Sequence, residues 1–145
     1  MFIRQVSVTD IIPIRHQVLR QGKAIESCNF TGDTSKNTFH LGVFLNHELA
    51  GICSLVNQEK TINAKLYTYQ LRGMAVLDKF QGKKVGTSLM HFIPDFLKSK
   101  SNSNLWCNAR TSAVLFYEKF NFVKQGDVFE IPDVGPHQLM HITYE

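Results

Sequence analysis

The sequence predicts one domain of the α/β (α+β) class, and three observations lead to this prediction. The chain has 145 residues and contains no repeat or Pro/Gly/Ser linker, so we expect a single domain over residues 1–145. Residues 39–56 alternate between apolar and polar side chains, as a β-hairpin does. Residues 69–97 read as a strand, a tight basic turn and a helix.

The first third of the chain predicts a strand followed by a helix. Residues 1–8 interleave polar and apolar side chains, as in a half-buried strand, and lack the continuous apolar core of a signal peptide. Thr9 or Asp10 can cap the helix, which tolerates Pro13 in its first turn and ends near Gly22. Its apolar face is formed by Ile11, Ile14, Val18 and Leu19. Residues 22–38 are polar and read as a loop or a short helix.

A hairpin and a longer strand follow. The hairpin pairs residues 39–45 with residues 49–56 across the turn Asn46-His-Glu48, and we expect solvated side chains for His40 and His47. A second polar segment, residues 57–65, connects the hairpin to the longer strand.

The longer strand changes phase at Arg72-Gly73. Tyr67, Tyr69 and Leu71 alternate on one phase, whereas Met74 and Val76 fall on the other. Such a slip beside a glycine indicates either a β-bulge, whose freed backbone groups could pair with a ligand, or a glycine tolerated inside a strand. The sequence leaves both readings open.

The turn after this strand has the features of a phosphate site. The first turn of a helix has N–H groups without partners and the positive end of the helix dipole. Gly82 and Gly86 allow a close backbone approach, and Lys79, Lys83 and Lys84 add positive charge. A diphosphate is therefore the expected ligand. The helix should bend or stop early at Pro94.

The last third predicts a short strand, a helix and two final strands. Leu105-Trp-Cys107 reads as a buried strand that ends at Asn108, and the helix expected after it follows from the family resemblance described below. Residues 122–131 and 138–144 alternate as two strands, joined by a loop that contains His137.

Composition restricts the function class. Hydrophobic residues make up 43% of the chain and charged residues 19%, and no apolar run approaches the length of a membrane span. Three widely spaced cysteines predict neither a disulfide framework nor a metal site, so we expect a reducing cytoplasm and no metal. A net charge of +4 suits an anionic ligand, but no aromatic residues interleave with a basic stripe, so we do not expect nucleic acid as a partner.

Two segments carry a family resemblance. The turn Gln81-Gly-Lys-Lys-Val-Gly86 resembles the acetyl-coenzyme A signature of the GNAT N-acetyltransferase superfamily, Gln/Arg-x-x-Gly-x-Gly/Ala, with Lys84 in place of the central glycine. The later segment resembles the family pattern Ala-x-x-Phe-Tyr-x-Lys-x-Gly-Phe, with Asn121 in place of its glycine. The matching positions there are Ala113, Phe116, Tyr117, Lys119 and Phe122.

The resemblance implies a fold and a cofactor site. The fold is a central mixed, largely antiparallel β-sheet with a splayed and bulged middle strand, flanked by helices. The co-substrate is acetyl-CoA, and we expect Lys84 to contact its diphosphate. The implied cofactor-binding residues are Met74, Ala75, Val76, Gln81, Gly82, Lys83, Lys84, Val85, Gly86, Thr87, Asn108 and Tyr117.

The resemblance also implies two catalytic residues. Tyr117 would stand beside the thioester sulfur, either as a hydrogen-bond donor or with a shifted pKa, and its alternative is a tyrosine packed in the core. His137 would be a general base, because imidazole titrates near neutral pH, and its alternative is a solvated loop histidine.

The predicted function is transfer of an acetyl group from acetyl-CoA to a primary amine by direct attack in a ternary complex. The alternatives are a non-catalytic module that binds an acyl-CoA or a partner, and an anion- or nucleic-acid-binding domain. The sequence does not name the amine, so polyamines, amino acids, aminoglycosides and protein amines all remain open, as does a homodimer.

Overall fold

The computed structural model describes all residues 1–145 and contains one seven-stranded sheet in the order β1-β2-β3-β4-β5-β7-β6. Neighbouring strands are antiparallel except β4 and β5, which are parallel. The predicted class, a mixed and largely antiparallel sheet with flanking helices, is confirmed. The strands are β1 (Phe2–Val6), β2 (Phe39–Leu45), β3 (Glu48–Ile62), β4 (Lys65–Val76), β5 (Asn104–Arg110), β6 (Val123–Ile131) and β7 (Gly135–Thr143). The helices are α1 (Val8–Val18), α2 (Val85–Ser99) and α3 (Val114–Glu118), with 3-10 turns at Ile25–Cys28, Asp78–Phe80 and Thr111–Ala113.

Helix α1 begins one turn earlier than Pro13 suggested. Its cap is Ser7, so the prediction of Thr9 or Asp10 is wrong. Asp10 instead completes a capping box, in which its N–H donates to Ser7 Oγ at 3.2 Å and its carboxylate accepts from Ser7 N–H at 3.0 Å. Pro13 therefore lies in the second turn. The helix ends at Val18, before the predicted end near Gly22.

Several strands are longer than their sequence patterns indicate. The polar segment 57–65 is not a loop, because β3 continues through it to Ile62 and pairs with β4 across a turn at Asn63-Ala64. Strand β5 likewise extends past Asn108 to Arg110. Strand β7 begins at Gly135 and so includes His137, which the sequence had assigned to a loop.

The middle strand β4 is bulged and splayed. Ile52 pairs with Ala75 and Ser54 with Arg72, so two residues of β4 lie opposite Cys53 alone. One of the two is Gly73, whose φ of +62° confirms the predicted bulge. On its other side β4 pairs with β5 only at Tyr69–Leu105 and Gln70–Trp106. Beyond Gln70 the two strands separate, and a cleft opens between them.

The main core lies between the sheet and the helices. The buried face of α2 consists of Val85, Leu89, Met90, Ile93 and Leu97. Helix α2 continues through Pro94 to Ser99, so the predicted early stop at the proline is wrong.

Two further features concern the chain as a whole. All three cysteines are free and buried. No helix of the structure is long and apolar enough to cross a membrane.

Candidate active site

Two cavities meet at the splayed strands. The first, of about 410 Å³, opens between β4 and β5 and is closed on one side by α3. The second, of about 530 Å³, extends from β4 to the N-terminus of α2. Met74 and Phe116 line both cavities, so the two adjoin at these side chains.

The N-terminus of α2 offers backbone donors to the second cavity. Its cap, Lys84, makes no side-chain capping hydrogen bond, and the first intrahelical bond runs from Ser88 N–H to Lys84 O at 3.0 Å. The N–H groups of residues 85–87 therefore have no acceptor within the helix. Lys84 has a φ of +65°, a left-handed conformation that favours glycine. This explains why a glycine is natural at this position of the signature.

The lysines near this turn are not equivalent. Lys79 forms an exposed ion pair with Glu48 at 2.7 Å and lines neither cavity. Lys84 lines the second cavity, whereas Lys83 lines neither of the two cavities. Gln81 lines the second cavity too, and its Nε2 donates to Asp78 Oδ1 at 3.3 Å.

The middle of β4 presents free backbone to the cleft. Ala75 and Val76 pair with β3 on one side, but no β4 residue after Gln70 pairs with β5 on the other. Their remaining N–H and C=O groups therefore need another partner. The predicted cofactor contacts on this strand and turn line the second cavity together: Met74, Ala75, Val76, Gln81, Gly82, Lys84, Val85, Gly86 and Thr87.

Tyr117 lies in α3 and lines the first cavity. Its ring is packed in the core, with centroids 5.3 Å from Phe116 and 5.4 Å from Phe122, while its hydroxyl makes no hydrogen bond within the protein. Burial, together with the nearby Cys107 and Cys53 thiols, raises the pKa of Tyr117 well above its usual value. The hydroxyl therefore stays protonated and has a proton to donate.

Asn108 and His137 line the same cavity as Tyr117. His137 is only 5% exposed and lies in β7 opposite Arg110, so the alternative of a solvated loop histidine is wrong. Its Nδ1 lies 2.8 Å from Gly135 O. A carbonyl can only accept, so Nδ1 carries the proton and Nε2 is left with a lone pair in the neutral ring.

A buried polar network centred on Arg15 lies beside the first cavity. Arg15 is fully buried, and its guanidinium donates to Asp33, to Ser54 Oγ at 2.9 Å and to Cys28 O at 2.8 Å. His40 contacts the same Ser54 Oγ through Nδ1 at 2.7 Å, so its predicted solvation is wrong. His47, in contrast, is exposed in its turn as predicted.

Sequence reasoning missed most of the residues that line the first cavity, including its charged ones. Arg20 and Phe30 come from the segment after α1, Arg72 from β4 and Arg110 from β5. They form no motif and share no spacing. The position of Arg72 beside the bulge glycine was the one available signal.

Comparisons with known proteins agree with this geometry. A family model described as an acetyltransferase (GNAT) domain matches residues 17–142. The uncharacterized N-acetyltransferase YitI of Bacillus subtilis (strain 168) is 34% identical over 141 residues, covering 97% of this chain and 95% of that protein.

Solved structures show the same fold. An aminoglycoside 6'-N-acetyltransferase complexed with coenzyme A superposes with a TM-score of 0.77 at 13% identity, covering 99% of this chain and 97% of that chain. Escherichia coli ElaA gives a TM-score of 0.73 at 17% identity, covering 97% of each chain. The matched family model spans most of the sequence, and the Bacillus relative spans nearly all of it. The chain is therefore an acyltransferase that belongs to the GNAT superfamily of acetyltransferases.

Proposed function

We propose that this protein transfers an acetyl group from acetyl-CoA to a primary amine by direct attack within a ternary complex. The observation that carries the proposal is the pair of adjoining cavities at the splayed strands. One holds the uncapped N-terminus of α2, the other holds Tyr117 and His137, and Met74 and Phe116 line both. Such an arrangement suits one extended ligand with a diphosphate near α2 and its reacting group near Tyr117.

The residues present fit acetyl-CoA, which supplies the activated acyl group. The free N–H groups of α2 and the charge of Lys84 suit the diphosphate. Unpaired backbone of β4 and the Asn108 amide suit the amide groups of the pantetheine arm. Gly82 has a φ of +77° and no atom near its missing side chain, so it leaves the turn open to solvent and to a ligand.

Tyr117 and His137 suit the two proton movements of this reaction. A new N–C bond forms, the C–S bond breaks, the amine loses a proton and the sulfur gains one. Tyr117 stabilises the departing thiolate by donating a hydrogen bond, a role that its raised pKa permits at neutral pH. His137 accepts the proton of the amine at Nε2, because its Nδ1–H is directed to Gly135.

The test is release of free CoA from acetyl-CoA in the presence of a panel of amines, with the acetylated amine identified by mass spectrometry. We expect amine-dependent release and an N-acetyl product. Acetyl-CoA binding without turnover of any amine would contradict the proposal and favour a non-catalytic acyl-CoA-binding module.

A further inference from the structure

The first cavity carries a cluster of uncompensated cations. Arg20, Arg72 and Arg110 line it, and its lining includes neither aspartate nor glutamate. The two salt bridges of the structure are Arg15–Asp33 and Lys79–Glu48, so none of the three arginines has a carboxylate partner. A cavity whose charged side chains are all positive is suited to an anion.

The cluster is built around the ring of Phe30. The Cζ atoms of Arg15, Arg72 and Arg20 lie 3.9, 4.4 and 5.4 Å from its centroid. Asp33 compensates the charge of Arg15, but the other two guanidinium groups share the ring without a counter-ion. An anionic ligand would reduce the repulsion between the neighbouring guanidinium groups of Arg72 and Arg20.

The pKa of Arg72 is consistent with this crowding. Partial burial and the neighbouring charges of Arg15 and Arg20 lower it, while Asp33 opposes them. Burial and like charges therefore destabilise the charged form of Arg72, and a bound anion would stabilise it. The packing around Phe30 keeps this guanidinium close to Arg15 rather than extended into solvent.

We propose that the acceptor is an amine that also bears an anionic group, a carboxylate or a phosphate, and that Arg72, Arg20 and Arg110 bind this group. The inference rests on the proposed acetyltransferase function. It makes the three arginines specificity-determining residues and excludes polycationic amines as good acceptors, because the same charges repel them.

The same charges assist the chemistry. An ammonium group in a positively charged cavity has a lowered pKa, because the charged form is disfavoured. The amine therefore enters the reaction more readily in its neutral, nucleophilic form. This supports the role of His137, since the cavity contains no carboxylate that could act as a base.

The substrate test uses matched pairs of amines. Glycine is compared with glycinamide, phosphoethanolamine with ethanolamine, and spermidine represents the polycations. We expect kcat/KM to be at least about tenfold higher for one anionic member than for its neutral partner, the scale of one charge-assisted hydrogen bond. The preferred pair distinguishes carboxylate from phosphate. A preference for spermidine or for both neutral members would overturn the inference and leave the acetyltransferase proposal intact.

Failure of turnover is separated from failure of recognition by binding. If no amine of the panel is acetylated, the acetyltransferase proposal fails. Calorimetric titration of the same amines into the CoA-saturated protein then decides the inference: tighter binding of glycine or phosphoethanolamine than of its neutral partner supports it, and equal binding overturns it.

The variant test removes one charge at a time. Arg72→Gln and Arg110→Gln should raise KM for the preferred anionic amine by about 10- to 100-fold. KM for acetyl-CoA should change less than about twofold, because the arginines lie away from the α2 turn. Arg72→Lys should recover part of the preference. Arg110 is exposed, so its substitution leaves the fold intact even if Arg72→Gln does not.

The control is Arg4→Gln, which removes the same charge from β1, where Arg4 stacks on Phe44 at 4.5 Å. It should leave the ratio of anionic to neutral acceptors unchanged. Retention of that ratio in both Arg72→Gln and Arg110→Gln would overturn the assignment.

Discussion

Arg15 and Asp33 form a buried bidentate ion pair, with Nη1 2.6 Å from Oδ2 and Nη2 3.0 Å from Oδ1. Asp33 also accepts a hydrogen bond from Phe30 N–H at 2.8 Å. The pair thereby anchors the loop after α1 to that helix, and Arg15 joins both to β3 through Ser54 Oγ. It also holds the ring of Phe30, on which Arg72 and Arg20 stack. This buried contact therefore positions the residues on one side of the first cavity.

We expect Asp33→Asn to lower the free energy of unfolding by about 3–5 kcal/mol, because it leaves the Arg15 charge buried without a partner. Urea denaturation measures the change. The control is Glu48→Gln, which breaks the exposed pair with Lys79 and should cost less than about 1 kcal/mol. Equal losses in the two variants would contradict the prediction.

The same pair should make stability depend on acid pH. Burial alone would raise the pKa of Asp33, but hydrogen bonds from Arg15 and Phe30 and the charge of Arg15 outweigh it and lower the pKa. The folded pKa is then below the unfolded value, so the stabilisation is complete above the unfolded pKa and is lost as pH falls through the folded pKa. Wild type should lose stability in this range more steeply than Asp33→Asn in denaturation curves at several pH values.

Gly86→Asp should weaken CoA binding by at least about tenfold, because it places a negative charge beside the diphosphate. A carboxylate in the first turn of α2 favours the helix, so the loss should not come from unfolding. Gly86→Ala is the matched control, since an added Cβ would meet Phe116 Cζ at an ordinary 3.5 Å. Calorimetric affinities near wild type for Gly86→Asp would remove this turn from the site.

Lys84→Gly should have opposite effects on stability and on CoA affinity. It relieves the left-handed backbone of Lys84, which costs an ordinary residue about 1 kcal/mol. It also deletes a charge, so CoA affinity should fall modestly and its salt dependence should weaken. Lys84→Asn tolerates the same backbone and separates the two effects. Tighter CoA binding by Lys84→Gly would show that the lysine obstructs the diphosphate.

Tyr117→Phe should lower kcat by about 10²-fold or more with little change in CoA affinity. The ring packing is preserved, and the lost hydroxyl makes no hydrogen bond within the protein, so stability should be unchanged. The loss should persist at alkaline pH, because the raised pKa keeps the wild-type hydroxyl protonated there. Tyr144→Phe, whose hydroxyl lies outside the cleft, is the control. Wild-type turnover in Tyr117→Phe would show that Tyr117 only contributes packing.

His137→Asn should lower kcat/KM at neutral pH and recover at alkaline pH. The asparagine amide can still donate to Gly135 O, but it has no counterpart of Nε2. Recovery is expected because a free amine needs no base once solvent has deprotonated it. His91→Gln, an exposed position on α2, is the control. A loss that is equal at every pH would indicate that His137 positions the cleft rather than accepting a proton.

Local pattern predicted much of this protein. The alternation of residues 39–45, the phase change at Gly73 and the glycine-bearing turn before α2 are all properties of neighbouring residues, and each is present in the structure. The signature turn could be identified for the same reason, because its donors come from one short stretch of backbone.

Other features depend on partners distant in the sequence. The polar segment 57–62 is a strand because β4 supplies its hydrogen bonds, and polar side chains carry no signal of that pairing. His40 is buried because Ser54 and the carbonyl of Asp33 satisfy its ring nitrogens. Neither outcome is encoded in a local period.

The sequence by itself therefore determined the family, the glycine-bearing turn before α2 and the position of Tyr117 after a strand. Only the tertiary structure decided which charges line the first cavity. Arg20, Arg72 and Arg110 come from three separate parts of the chain, the segment after α1, β4 and β5, and they line one cavity because β4 leaves β5 there and Phe30 fills the space beside it. Long-range packing sets such a meeting, and the spacing of residues along the chain carries no record of it.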